Sequence, residues 1–474
     1  MVYSRRQFLH LAALLAGASL AGCGAANTGE GTVTQPPDPS PDATTPAPAT
    51  QAPATQAPAA QAPGALYTVA RSDKPRQTAP DATPEELAQL VAGNSAFALD
   101  LYQQRRAQDG NLFFSPYSIS LALAMTYVGA RSATEQQMAQ ALRFSLPQER
   151  LHPAFNALAL ELAKRGEAQP NTPPELQGFQ LNVANATWGQ TGYQFQPEFL
   201  DTLAEQYGAE MLLRDFQAAP DEGRLAINQW VSEQTEEKIK DLLPEGTIND
   251  LTRMVLVNAI YFNAKWRAQF DPSVTRDGDF NLLDGGKVTV PMMAQTSSFA
   301  YAEGEGYQAV EMPYIVSDQS DGMSMVIILP GEGQFATFEE GLSADQLANI
   351  TSGLNFAQVT LTMPKFTLKG VSFSLKETLQ ALGIQDAFVE GTADLSGMDG
   401  TRDLFISDAI HQAFVRVDEE GTEAAAATAA IAQATGAMID EPIQMTVDRP
   451  FVFLIRDIDT GAMLFLGRVV DPTG

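Results

Sequence analysis

Acid–base or nucleophilic catalysis needs a titratable side chain poised near neutral pH, and this 474-residue chain has few: its histidines are His10, His152 and His411 alone. No Gly-x-Ser-x-Gly elbow is present to lift a nucleophilic serine above a sheet, so a serine hydrolase built on His152 or His411 lacks its usual signature. Cys23 is the only cysteine, which excludes a disulfide framework and a cysteine-rich zinc site. No Asp-rich loop of EF-hand spacing offers carboxylates to Ca²⁺. Neither a metal nor a cofactor is expected. The formal net charge of -28 repels phosphate over most of the surface, and nucleic acid is not expected as a partner.

What remains are polar residues in apolar company. Asn258 interrupts the run Met254 to Phe262, which otherwise suits a strand buried on both faces. A buried amide without partners costs roughly 1–3 kcal/mol, so Asn258 either sits at a bulge or strand end or finds hydrogen-bonding company. His411 stands in similar surroundings between Ile406 and Phe414. Beyond it, Phe414 to Asp418 alternates as a strand does, and Glu419-Glu420-Gly421-Thr422-Glu423 opens a run of alanines. Propensity alone reads that run as a helix. Read as a strand, it places Thr422, Ala424, Ala426, Thr428 and Ala430 on one face, with Glu423, Ala425 and Ala427 on the other. Small side chains on one face could enter a packed interior without displacing it, leaving Glu423 in water.

Positioning such residues takes a sizeable fold, and the pattern supplies one beyond residue 80. Thr83-Pro84-Glu85-Glu86 is a capped helix start, followed by Leu87, Leu90, Val91, Asn94, Phe97, Ala98 and Leu101 at helical spacing. Ser115-Pro116 opens a second helix that is apolar nearly all round from Ile119 to Val128, and so buried. Strand-like runs follow at 181–188, 254–262, 323–329, 359–368 and 451–470, with helical runs interleaved at 198–207, 225–242 and 372–382. No linker or repeat divides 81–474, and one large α+β domain with several sheets is expected. Residues 23–80 are rich in Pro, Ala, Thr and Gln, with Gln-Ala-Pro recurring at Gln51, Gln56 and Gln61; they read as a semi-rigid stalk or a plain disordered tail. Ahead of them, Arg5-Arg6 precedes an apolar run of about fourteen residues, too short for a comfortable membrane span. Residues 1–22 are expected to be a signal peptide.

Leu20-Ala21-Gly22-Cys23 resembles the lipobox of bacterial lipoproteins, and Arg5-Arg6 the twin-arginine signals of an export route for folded proteins. Together they imply diacylation of Cys23, an extracytoplasmic location and a tether to the outer face of a membrane. An ordinary cleavage site with an incidental cysteine is the alternative. From 84 to 472 the chain resembles the serpin family. The resemblance rests on Asn111 to Ser120, on Ile227-Asn228-Gln229-Trp230-Val231 with Thr235 and Ile239, on Leu256 to Phe262 through Lys265-Trp266, and on Asp448 to Phe453 with Phe465 to Val469. It implies about nine helices around three β-sheets, an exposed reactive-centre loop and a monomer.

By the same resemblance, Ser115, Ser118, Asn258 and His411 form a polar shutter beneath the main sheet. Trp266, Lys365 and Glu419 meet in the breach where the loop first enters, Lys365 and Glu419 as an ion pair. Glu419, Gly421, Thr422, Ala424, Ala425, Ala426, Ala427 and Thr428 form the hinge of an inhibitory loop, with no bulky or charged residue on its inward face. Counting from Gly421 places the scissile bond at Thr435-Gly436, within a few residues. No lysine or arginine lies between Arg416 and Arg449, so the implied partner is an elastase-like or subtilisin-like serine protease that prefers small residues. Cleavage after Met438 would suit a chymotrypsin-like enzyme instead. The implied function is a suicide-substrate inhibitor of serine endopeptidases rather than an enzyme. Two alternatives stand beside it. A non-inhibitory serpin would act as protease substrate, chaperone or storage form; a solute-binding lipoprotein would share the signal and stalk but has no use for the alanine hinge.

Overall fold

The computed structural model describes residues 66–166, 180–316, 322–369, 372–422 and 441–474. In chain order its elements begin with β1 (Thr68–Ala70), α1 (Pro84–Arg105), β2 (Leu112–Phe114), α2 (Pro116–Tyr127), α3 (Ser132–Ala141) and α4 (Gln148–Lys164). Next come β3 (Gln180–Gln190), α5 (Pro197–Thr202) running into a π-helical turn at Leu203–Tyr207, β4 (Met211–Arg214), α6 (Pro220–Gln234) and β5 (Met254–Lys265). The middle of the chain supplies β6 (Arg276–Asn281), β7 (Lys287–Gly304), β8 (Tyr307–Pro313), β9 (Met323–Pro330), α7 (Phe335–Gly341) and α8 (Ala344–Ser352). It is followed by β10 (Asn355–Pro364), β11 (Phe366–Lys369), β12 (Phe373–Ser374), α9 (Lys376–Ala381) and α10 (Ser396–Asp399). Last come β13 (Asp408–Val417), β14 (Gly421–Thr422), β15 (Ile443–Thr446), β16 (Phe451–Asp457) and β17 (Met463–Val469).

The local signals act where the chain carries them. The Thr83 hydroxyl accepts the Glu86 amide while the Glu86 carboxylate accepts the Thr83 amide, which starts α1. The expected strand over 359–368 is two, because Pro364 has no amide to donate and the chain turns at Lys365, whose amide goes to Pro291. The expected helix over 225–242 ends early. Thr235 turns its hydroxyl back to the Val231 carbonyl and accepts the Ile239 amide, which closes α6 at Gln234.

One sheet runs β1-β4-β3-β5-β14-β13-β11 with β12 on β13; the other runs β15-β10-β7-β8-β9-β16-β17-β2 with β6 on β7. Among the described residues, two hydrogen-bonded sheets thus stand where three were expected. The cause is β7, unbroken over 18 residues, which pairs β6 with its first part and β10 and β8 with the remainder. Ten α-helices are present among the described residues, α10 being four residues long. The largely apolar α2 lies between the two sheets, packed on β3 and β5 from one side and β17 from the other.

Residues 66–80, which composition assigns to the stalk, are part of the fold. β1 pairs antiparallel with β4 at the edge of the first sheet, and the Tyr67 ring meets Trp188 edge-on at 5.1 Å. Lys74 pairs with Asp201 at 3.0 Å, Arg76 donates to the Asn156 side chain at 2.9 Å, and the Gln77 amide donates to the Glu205 carbonyl. An open sheet edge gives even a proline-flanked segment a place to dock, which composition cannot register. Among the described residues no helix is long and apolar enough to cross a membrane.

Candidate functional site

The seam between β5 and β13 is the centre of the first sheet. These strands pair directly and in parallel, Asp408 to Phe414 against Val255 to Tyr261, which sets His411 beside Asn258. On its other side Asn258 faces Asn185 of β3. Three polar side chains therefore lie in a row across the sheet, above the N-terminal turn of α2.

Their hydrogen bonds run from one sheet to the other. The Ser115 amide donates to His411 Nε2 at 3.1 Å, so the ring proton sits on Nδ1, which donates to Asn258 Oδ1. Asn258 Nδ2 donates to Ser118 Oγ at 2.6 Å and to Asn185 Oδ1, and Asn185 Nδ2 donates to the Ser118 carbonyl at 3.0 Å. Ser115 Oγ accepts the Ser118 amide as an N-cap and donates to the Leu464 carbonyl of β17 at 2.7 Å. Burial above all, then the Arg105 guanidinium, pushes His411 down to about 3, against its bond to Asn258. Neutral histidine is the only form this network accommodates, because a proton on Nε2 would confront the Ser115 amide.

A second cluster closes one end of the seam. Trp266 stacks on Tyr314 at 4.5 Å, its indole Nε1 donates to the Asp418 carbonyl at 2.9 Å, and its amide donates to the Glu420 carbonyl. Lys365 Nζ lies 2.7 Å from the Glu419 carboxylate, which also accepts the Thr275 hydroxyl at 2.8 Å. Burial works against the Glu419 charge, but Lys365, its own backbone amide and Thr275 outweigh it and hold the carboxyl below its ordinary range. Between these groups β14 enters the sheet: Gly421 and Thr422 pair with Lys265 and Ala264 of β5, and Thr422 with Val417 of β13. Thr422 is fully buried, with its hydroxyl 2.7 Å from that of Tyr314. Gly421 is required by contact, since a Cβ there would stand 2.1 Å from the Ala264 carbonyl oxygen.

The structure thus brings Ser115, Ser118, Asn258 and His411 together, and separately Trp266, Lys365, Glu419, Gly421 and Thr422. Ala424, Ala425, Ala426, Ala427, Thr428, Thr435, Gly436 and Cys23 lie outside the described residues. Asn185, Thr275 and Tyr314 belong to these clusters and escape a reading of the sequence. Asn185 is only half-buried in its strand, and Tyr314 follows Pro313 where the pattern of β8 has ended. Among the described residues no group of three His, Cys, Asp or Glu could hold a metal ion.

Residues 92–472 match the family model described as Serpin (serine protease inhibitor). The chain is 40% identical over 397 residues to the leukocyte elastase inhibitor of Homo sapiens, covering 81% of this chain and 100% of that one. It is 38% identical over 384 residues to a serpin-like protein of Thermococcus kodakarensis, covering 81% and 86%. The crystal structure of the thermophilic serpin tengpin in its native state superposes with a TM-score of 0.74 at 26% identity, over 85% of this chain and 99% of that one.

Proposed function

The chain belongs to the serpin family, and on that footing we propose that it inhibits serine proteases as a suicide substrate whose cleaved loop inserts into the first sheet. The observation that carries the proposal is the seam. β5 and β13 are paired from Asp408 to Phe414, so no slot is open below Thr422, while β14 has already taken the position a longer inserted strand would extend. The serine hydroxyl of the target attacks the Thr435 carbonyl, the bond to Gly436 breaks, and the new amine departs, leaving an ester between enzyme and loop. Parting of β5 from β13 admits the freed segment behind Thr422. The enzyme is dragged along, and a displacement near 1 Å at its catalytic groups is enough to slow deacylation severely.

The alanine-rich composition from Ala424 to Ala430 supports a strand that slides under a sheet without steric cost. The absence of Lys and Arg between Arg416 and Arg449 supports an elastase-like or subtilisin-like target. The test is incubation with trypsin, pancreatic elastase and subtilisin, scored by SDS-stable complex. Elastase or subtilisin is expected to be trapped, and Thr422→Arg, which puts a charge where Thr422 is fully buried, is expected to turn inhibitor into substrate. Cleaved product alone from the unmodified chain with every enzyme would refute the trapping mechanism; trapping of trypsin alone would refute the specificity. Residues 1–22 and Cys23 support export and lipid attachment to the outer face of a membrane or cell surface. Cys23→Ser is expected to move the protein from the membrane to the soluble fraction.

A further inference from the structure

Among the described residues, Arg105 is a buried cation with no carboxylate bonded to it. It closes the last turn of α1 with 7% of the residue exposed, and its Nε has no acceptor. Its side-chain hydrogen bond goes to Gln108 Oε1 at 2.7 Å, and the carbonyl end of α1 offsets part of the charge. Burying a guanidinium with so little compensation is costly, and its placement calls for a reason. The guanidinium lies over the ring of Phe373, with Cζ 3.7 Å from the centroid. Phe373 is the register partner of His411 and packs edge-on against its imidazole, the centroids 5.4 Å apart. Arg105, Phe373 and His411 therefore form one stack from α1 through β12 to β13.

We propose that Arg105 is a positioning residue that keeps His411 a neutral relay between the Ser115 amide and the Asn258 side chain, and so lowers the pH at which the seam gives way. A proton on His411 would place a second cation against the same aromatic ring, no more than about 9 Å from the guanidinium. Among the described residues no acid faces it to compensate. Its neighbours are Phe373 on β12, Asn258 on β5 and Ser115 at the start of α2, with Arg105 behind Phe373. Asp408, three positions back on its own strand, is taken up by the Ser374 hydroxyl and the Ala409 amide. Like charge across a low-dielectric stack thus adds to burial in excluding the proton. The functional weight of this device rests on the reading above, in which a closed seam is the loaded state of the inhibitor.

The test compares the full chain with Arg105→Met and Arg105→Lys. Two quantities are read: the titration of the His411 ring proton by NMR, and the pH at which half of the native state is lost on acidification. In the unmodified protein His411 is expected to stay neutral to below about pH 4. Arg105→Met is expected to raise both midpoints by about half a pH unit or more, while Arg105→Lys, which keeps the charge and loses the planar group, stays with the parent. Equal shifts in the two variants, no shift in either, or a parental His411 titrating near its ordinary value would overturn the proposal. Arg105→Gln, a neutral polar replacement, takes the place of the methionine variant if that one fails to fold. Trapping at pH 7.5 is scored in parallel, so that loss of the inhibitor reading is seen apart from the His411 result.

Discussion

Two histidines held neutral set an acid limit for the native state. His411 and His152 are each pushed down to about 3, by burial first and by an arginine second, Arg105 for one and Arg131 for the other. An unfolded chain takes up these protons near pH 6.5. Between about 6.5 and 3 the unfolded state therefore binds protons that the native state does not, so stability is full above this window and falls as the pH drops through it. His152 makes a ring bond to the Tyr207 hydroxyl at 2.6 Å, and its Nε2 has no partner. His152→Phe is expected to make the thermal midpoint fall less steeply with acidification, at a cost of about 1–3 kcal/mol at neutral pH for the bared Tyr207 hydroxyl; calorimetry across pH 4 to 7 checks both. At the hinge, Tyr314→Phe strands the Thr422 hydroxyl inside the sheet and should cost about 1–2 kcal/mol, Thr422→Val likewise. The double variant should cost about as much as either single one, a non-additivity that urea midpoints would reveal. Asn258 and His411 are legible in the sequence because each interrupts an apolar run. Asn185 and Tyr314 are not, since a half-exposed asparagine and a tyrosine beside a proline break no pattern; only the fold brings them to their partners.

Among the elements, β14 is the one whose boundaries matter most, because two residues of it already lie in the sheet. Gly421 makes that possible by its closeness to the β5 backbone. Gly421→Ala must therefore push β14 away from Ala264 and Lys265, and amide exchange at 264–266 and 421–422 is expected to rise by about tenfold or more while the remainder of β5 is unchanged. Unchanged exchange would mean that β5 shifts to accommodate the methyl group. Gly421 and Thr422 are held as a strand by pairing with β5 and, at Thr422, with β13. Partners distant in sequence likewise explain the differences between pattern and structure. Hydrophobic periodicity finds β5 and α2 because one face or all faces are apolar. It cannot see that β7 is one strand shared by three neighbours, or that 66–80 docks on β4, because both depend on an edge supplied by distant residues.

At the scale of the whole molecule, the proposed insertion requires a native state short of its lowest free energy. Breaking the pairs between Val255–Tyr261 and Asp408–Phe414 costs one ladder, whereas a strand inserted between them would form two. For an insertion of about fourteen residues, with roughly 1 kcal/mol net per ladder bond, the gain is on the order of 10 kcal/mol, comparable with the stability of an entire domain. The barrier is the polar row itself. Parting the strands must first separate His411 from Asn258, and because both are buried each group loses a partner before another replaces it. On the proposed mechanism the intact chain is kinetically held, and cutting the loop removes the tether that keeps the segment from entering. Nicking the loop with a protease that is not trapped, and removing that enzyme, should therefore raise the thermal midpoint by about 20 °C or more relative to the intact protein. An unchanged or lower midpoint in the nicked chain, with the cut mapped between Thr422 and Ile443, would mean that the segment does not insert, and the energy source of the proposed trap would be gone.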